Sequence, residues 1–283
     1  MRSCQKWHTF QFVTIACALF SGTSVANESS PFSPLFIPDA GKVITQTSFA
    51  LSYVQSSVTI SGGLSARMTD APRFMRVSQS VRAGLPWDGF QIGAGVGYSE
   101  SLKADTDRTR YMEGFGNPSF WLGKSTRLDA GEVIHLFYNI TPKTGNEGLR
   151  SARTTQALSV TGAKQFVGGM LGSISLRRWE SSFAGATSVS GGVHKDINGL
   201  LWGTSLSVSH NDRQKSPDYE FKIPQNYTAS VFASRQLSPG VWGGVSYSYW
   251  QGKSKVNVNT PIAYEAETRM KAHTISTSIQ ASF

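Results

Sequence analysis

The last eleven residues, His273 to Phe283, alternate without a break. Ile275, Thr277, Ile279, Ala281 and Phe283 fall on one side, and Thr274, Ser276, Ser278, Gln280 and Ser282 on the other. Successive side chains of a strand point to opposite faces, whereas a helix repeats every 3.6 residues. The segment is therefore a strand between two unlike solvents, one apolar and one that welcomes a row of hydroxyls. It also ends on an aromatic residue, Phe283. Termini in water fray, so a terminal Phe argues that this end is tied down.

The amino end predicts where such a strand is used. Arg2 and Lys6 precede an apolar run, Phe10 to Phe20, and the small residues Ser21 to Ala26 follow. That order is the layout of a secretory signal peptide, with cleavage expected after Ala26. The run is shorter than the ~20 residues that span a bilayer as a helix. A final strand ending in Phe resembles the assembly signal of bacterial outer-membrane β-barrels. The resemblance implies that the barrel-assembly machinery is a partner through the strand ending at Phe283. It also implies that outer-membrane lipid surrounds the apolar face.

Both cysteines, Cys4 and Cys17, lie in the expected signal segment. The exported chain would then have no disulfide, no thiolate metal site and no Cys nucleophile. Losing Arg2 and Lys6 leaves 25 basic against 18 acidic residues. The basic residues are scattered rather than clustered, so nucleic acid is not expected as a partner. No segment after Ala26 carries the ~18 apolar residues of a membrane helix, but barrel strands escape that test because every second residue is polar.

Period-two patterning predicts twelve strands, at about 43–55, 73–85, 90–101, 117–128, 132–142, 153–165, 168–178, 183–195, 199–211, 225–237, 240–252 and 271–283. Ten or fourteen strands remain open, with Ser57 to Ser65 a candidate extra strand. The gaps after even-numbered strands are tight and rich in turn formers, as in Pro86-Trp87-Asp88-Gly89, Asp129-Ala130-Gly131 and Asp196-Ile197-Asn198-Gly199. Those after odd-numbered strands are mostly longer and polar, including Asn211–Gln225 and Gly252–Lys271. Such alternation is expected of an all-β, transmembrane, antiparallel up-and-down barrel with short periplasmic turns and long outer loops. A soluble β-sandwich does not require it. Twelve tilted strands spaced ~4.8 Å apart give a backbone diameter near ~24 Å. The layout divides the chain into a signal peptide at 1–26, a periplasmic segment or plug at 27–42 and a barrel at 43–283.

The face opposite lipid should line the bore. It carries many small residues, among them Gly93, Gly95 and Gly97, then Gly203, Ser205, Ser207 and Ser209, then Gly244, Ser246 and Ser248, and Ser276, Ser278 and Ser282. Small side chains leave space, which favours an open passage over a lumen blocked by a folded-in loop. Arg76, Arg82, Trp121, Arg127, His135, Arg177, Trp242 and Trp250 share this parity. An arginine facing lipid at the midplane costs ~2–4 kcal/mol, which supports the register. The arginines would favour an anion or a carboxylate, or pair with loop acids and hold the barrel's shape. The tryptophans would contact a solute or form an interfacial girdle. Before the first strand, Phe32, Leu35, Phe36 and Ile37 alternate with prolines, so this stretch is either a plug in the bore or a mobile tail.

Gly114-Phe115-Gly116-Asn117-Pro118, then Leu122-Gly123-Lys124, then Thr141-Pro142-Lys143-Thr144-Gly145, resembles the centre of outer-membrane proteins linked to the meta-pathway of phenol degradation. The resemblance covers about a tenth of the chain. It implies a barrel passing small aromatic or other hydrophobic solutes, with Gly114, Gly116, Asn117, Pro142 and Gly145 at family-like turns. Asn117 stands where the family usually has Asp.

An enzyme is the alternative, since some outer-membrane barrels hydrolyse lipids with a His–Ser pair held by a third group. No His-x-Ser pair lies along one strand, which leaves a cross-strand pair such as His135 with an inward Ser. Metal-ligand spacings and nucleotide motifs are absent from the sequence, so no cofactor is expected. The pattern as a whole predicts an outer-membrane channel for passive uptake of small molecules. A lipid hydrolase and a structural or adhesive barrel are the alternatives.

Overall fold

The computed structural model describes residues 32–60, 64–68, 73–102, 113–129, 131–144, 154–181, 184–212, 214–215, 219–222, 225–258 and 264–283. The expected signal peptide lies outside these residues. Twelve strands form a ring: Val43–Ile60, Arg73–Gly84, Phe90–Ser101, Ser119–Arg127, Val133–Thr141, Thr155–Gln165, Met170–Ser181, Gly185–Ile197, Leu200–Asn211, Asn226–Ser238, Val241–Val258 and Tyr264–Ser282. They are named below by ordinal. Each pairs antiparallel with the next, and the first pairs with the twelfth from Ile44↔Ser282 to Ile60↔Ala266. The sheet is therefore a closed all-β barrel without a free edge, the form in which strands can cross a membrane. Among the described residues no helix is long and apolar enough to cross one.

Its polarity is reversed relative to a soluble protein. Leu122, Ile174, Leu206, Val231, Val245 and Ile275 point outward and are half-exposed or more. Ser48 and Ser78, Ser205 and Ser230, and Ser246 and Ser276 point inward, each pair sharing a hydrogen bond of 2.6 Å. The two buried apolar clusters both include the segment before the first strand. Phe32 packs with Leu201, Trp242 and Phe232, and Leu35 packs with Val133, Ala163, Leu171 and Ile37.

The gaps after the even-numbered strands are tight, as expected. In the turn at 198–199, both Asn198 (φ 55) and Gly199 (φ 76) are left-handed, the geometry of a two-residue hairpin. At Gly89 (φ 67) the backbone also passes so close to the fourth strand that an added Cβ would lie 1.8 Å from the Ser125 carbonyl oxygen.

The outer ends differ from expectation in three places. The first strand runs on to Ile60, and Leu64–Met68 folds back on it, so 57–65 is no separate barrel strand. The eleventh and twelfth strands extend to Val258 and from Tyr264, which shortens the expected loop Gly252–Lys271 to 259–263. The gap after the seventh strand is also short, spanning 182–184. Beyond the membrane both faces of a strand meet water. The apolar alternation then disappears, although the backbone ladder continues.

Glycine substitutions test the turn geometry. Gly131 (φ 82) has open space around it, so Gly131→Ala should cost only the backbone term of about 1–2 kcal/mol. Gly89→Ala must also displace the fourth strand. It should lower the urea midpoint of the folded barrel clearly more than Gly131→Ala does, read by heat-modifiable gel mobility.

At the outer rim, Arg178 holds Asp212 with two hydrogen bonds, Nη1 to Oδ1 at 3.0 Å and Nη2 to Oδ2 at 2.6 Å. These bonds keep the Asp212 carboxyl below the ordinary carboxylate range, and the nearby charges of Arg178 and His210 act in the same direction. A depressed folded pKa contributes stability above the unfolded value, lost as pH falls through the folded one. Titrating unfolding midpoints below the ordinary Asp range should show a fall in the wild type that Asp212→Asn lacks.

Candidate functional site: the barrel interior

Alternation places all eight expected lining residues on the inward face, on five strands. Arg82, Arg127, His135 and Trp242 lie toward the end with the short turns, and Arg76, Arg177 and Trp250 toward the other. Arg76 and Arg177 sit on the second and seventh strands, five places apart in a ring of twelve. They therefore sit on nearly opposite walls of the barrel.

The inward glycines do not simply leave space. An added Cβ at Gly93 would lie 2.2 Å from the Trp121 ring, and one at Gly123 would lie 2.3 Å from Phe137. Gly203 is covered from both sides, with 2.3 Å to His194 and 2.7 Å to Phe232, and at Gly252 the Trp250 ring is 2.6 Å away. At the first three sites the ring comes from the paired residue on a neighbouring strand, as in Gly93↔Trp121, Gly123↔Phe137 and Gly203↔Phe232. Each glycine thus seats a ring flat against the wall. The wall keeps its bore and becomes aromatic, which corrects the expectation that these glycines mark free volume alone.

The segment at 32–37 crosses the short-turn end of this bore. Phe32 meets the ninth, tenth and eleventh strands through Leu201, Phe232 and Trp242. Leu35 meets the fifth, sixth and seventh through Val133, Ala163 and Leu171. The Phe36 ring lies 5.0 Å from the Arg82 guanidinium carbon, on the second strand. Phe32, Leu35 and Phe36 therefore touch three well-separated parts of the wall. A tight turn makes this possible, with Ser33 accepting from Phe36 N through its carbonyl at 3.0 Å and from Leu35 N through its hydroxyl at 3.1 Å. The stretch is then fastened to the rim, where Gly41 N donates to Gly84 O at 3.0 Å and Ala40 bridges Gly84 in parallel. Burying Phe32 and Leu35 contributes roughly 1.5–3 kcal/mol each.

A polar chain joins this segment to the wall. His135 Nε2 bonds the Pro34 carbonyl, a partner that can only accept, so Nε2 carries the proton. Nδ1 then accepts from the Ser125 hydroxyl at 2.7 Å, and Ser125 Oγ accepts from Gln91 Nε2 at 3.0 Å. Ser125 and His135 are direct partners across the hairpin that turns at 128–132. This is the cross-strand His–Ser pair left open by the sequence. Its third group is a backbone carbonyl rather than a carboxylate, and both side chains are buried beneath the segment. The arrangement fixes the segment's backbone against the wall. His194, on the other side, is also buried. Its Nε2 is 3.5 Å from Ser173 Oγ, and its ring is 5.4 Å from Phe232. Among the described residues no group of His, Cys, Asp or Glu is placed to hold a metal ion.

Of the family-like turn residues, Gly114 has φ 140, and Gly116 N donates to Gly97 O at 2.7 Å. Asn117 Oδ1 accepts from Thr144 Oγ1 at 2.8 Å and from Thr144 N at 3.4 Å, joining the outer ends of the fourth and fifth strands. Pro142 lies just past the fifth strand, two residues before Thr144. Gly145 lies outside the described residues.

No family model matches the chain, and no curated protein matches it. Solved structures do. An outer membrane channel from Pseudomonas putida F1 aligns with TM-score 0.59 at 12% identity, covering 87% of this chain and 96% of that one. A FadL homologue from Pseudomonas aeruginosa aligns with TM-score 0.54 at 10% identity, covering 93% of this chain and 96% of that one. At such identities the likeness is one of fold.

The ring seats can be tested by a double-mutant cycle. Gly93→Ala drives a Cβ into the Trp121 ring and should cost about 1–3 kcal/mol, as overpacking does. In a Trp121→Ala background the same substitution should be nearly neutral. Additive costs in urea unfolding would show that the ring does not rest on Gly93.

Proposed function

We propose that this chain is a passive outer-membrane channel for small solutes of hydrophobic or aromatic character, with 32–37 as its plug. The observation that carries the proposal is that Phe32, Leu35 and Phe36 of the plug reach three separate parts of the inner wall across one end of the bore. A barrel that served only as an anchor or adhesin would fill its interior with wall side chains. Here a separate segment fills one end, held by two apolar contacts and a His latch. The Pseudomonas putida protein that shares this fold is an outer membrane channel, which agrees with this proposal.

The remaining assignments belong to the same proposal. Residues 1–26 are a cleaved export signal, and the strand ending at Phe283 is recognised by the barrel-assembly machinery. Lipid covers the outward apolar band. Arg76, Arg82, Trp121, Arg127, His135, Arg177, Trp242 and Trp250 line the path, with Arg76 and Arg177 favouring solutes that carry a carboxylate or a polarisable ring. No cofactor takes part, since diffusion down a gradient needs none. The Ser125–His135 pair is structural, and the chain is not a hydrolase.

Planar-bilayer conductance tests the proposal. Wild-type protein should show small, infrequent openings. Leu35→Asp forces a charge into an apolar contact, and His135→Ala removes the latch, so both should raise open probability several-fold. Liposomes carrying the Leu35→Asp variant should swell faster in small aromatic solutes than in sugars of equal mass. Silence of the wild type and of both variants would overturn the channel. Lipid hydrolysis by the wild type that disappears in Ser125→Ala would replace it with an enzyme.

A further inference from the structure

Along the seam where the first, eleventh and twelfth strands meet, pairing register sorts the outward side chains into tiers. Val245 pairs with Thr277, and Ile275 lies between Tyr247 and Leu51. His273 comes next, between Tyr249 and Tyr53. Its Nδ1 shares a 2.8 Å hydrogen bond with Tyr247 Oη, and its ring lies 5.1 Å from that of Tyr249. Lys271 follows between Gln251 and Gln55, then Arg269 beside Lys253, then Lys255, which pairs with both Glu267 and Lys222. At ~3.3 Å per residue, the cations begin ~7 Å beyond the tyrosines. The order is thus hydrocarbon contact, aromatic tier, cationic tier.

The cationic tier is not balanced from within. Lys222, Lys253, Lys255, Arg269 and Lys271 face Glu220, Glu265 and Glu267. Glu267 is shared, at 2.7 Å from Lys253, 2.9 Å from Arg269 and 3.9 Å from Lys255. Lys255 also meets Glu265 at 2.8 Å, and Lys222 meets Glu220 at 3.3 Å. Lys271 has no ion pair among the described residues, and the Arg269 side chain is 69% exposed. On the seventh strand, by contrast, the outward cation Arg178 is matched by Asp212 and Glu180. On that strand the outward charges are matched, whereas at the seam the cations outnumber the acids.

We infer that this seam is a binding site for a lipid with a phosphorylated headgroup, in the leaflet that faces the long loops. Lys253, Arg269 and Lys271 would meet phosphate, His273 and the tyrosines the headgroup's neutral part, and Leu51, Val245 and Ile275 the acyl chains. A soluble anion would use the cations but not the tiers below them. The inference rests on the outer-membrane placement proposed above, but not on conduction.

The test uses purified full-length protein in neutral detergent and native mass spectrometry with a diphosphorylated disaccharide lipid. The wild type should keep one such lipid bound. The triple variant Lys253→Gln, Arg269→Gln, Lys271→Gln should bind it at least tenfold more weakly, as the wild type should bind the dephosphorylated lipid. Lys271→Gln alone, which breaks no ion pair, should weaken binding about threefold and covers the case in which the triple variant fails to assemble. Equal binding by wild type and Lys271→Gln, equal binding of the dephosphorylated lipid, or equal retention of inorganic phosphate would each overturn the site. Conductance of Lys271→Gln in uncharged phosphatidylcholine should match the wild type. A missing current therefore counts against the channel, and a missing lipid adduct against this site.

Discussion

The structure depends on the fact that a peptide group in hydrocarbon has no partner except another peptide group. An unpaired strand edge there costs several kcal/mol per group, so the sheet must close on itself. Closure falls to the first and twelfth strands. It is completed by the last residue, where Phe283 N donates to Val43 O at 2.8 Å and Val43 N donates to Phe283 O at 3.0 Å. The terminal phenylalanine that stands out in the sequence is thus the last rung of the ring. Its ring side chain faces outward, as the parity of Ile275 and Ile279 requires. Once the ring is closed, each residue's neighbour on either side is fixed. The tiers at the seam, the serine pairs and the ring-on-glycine contacts are all consequences of that register.

The twelve strands were legible because lipid on one side and water on the other impose period two, the strongest local signal a strand can carry. The signal ends where the membrane does. Beyond Gly252, Lys253 and Lys255 alternate with Ser254 and Val256, so no apolar stripe remains and the sequence reads as a loop although the ladder runs on to Val258. The His–Ser pair was recoverable in principle. A tight turn at 128–132 fixes the hairpin register, so Ser125 and His135, equidistant from the turn, must face each other. For 32–37 the sequence left a plug and a mobile tail both open, and which walls it meets was not recoverable. Its apolar residues have no periodicity, and their partners, from Arg82 to Trp242, are gathered only by the closed ring.

The inward glycines show why composition alone misjudges a bore. Counting small residues gives an empty wall, because the volume missing at Gly93 or Gly203 is measured without the neighbouring strand. Register then decides what enters it. Beside Gly93 stands Trp121, and beside Gly203 stand Phe232 and His194. A ring lying flat takes little width from the passage and covers the polar backbone with a π face. Had those glycines been alanines, the same rings would have to project inward and narrow the bore.

The plug's tether determines how strongly the plug must bind. It docks only ~3 to 8 residues before Ala40, which with Gly41 pairs with the Gly84 backbone, so its effective concentration at the bore is in the millimolar range or above. Two apolar side chains and one hydrogen-bond chain are then enough to keep the end occupied, and no tight site is required. Each of these contacts is also one that a solute can imitate. Phe32 offers a ring to Trp242, and Pro34 offers a carbonyl to His135. A small molecule with an aromatic ring and an acceptor oxygen competes for both at once. On the proposed function, the solutes that open the passage are therefore those that resemble its plug, and selectivity arises from the same wall that holds the segment in place.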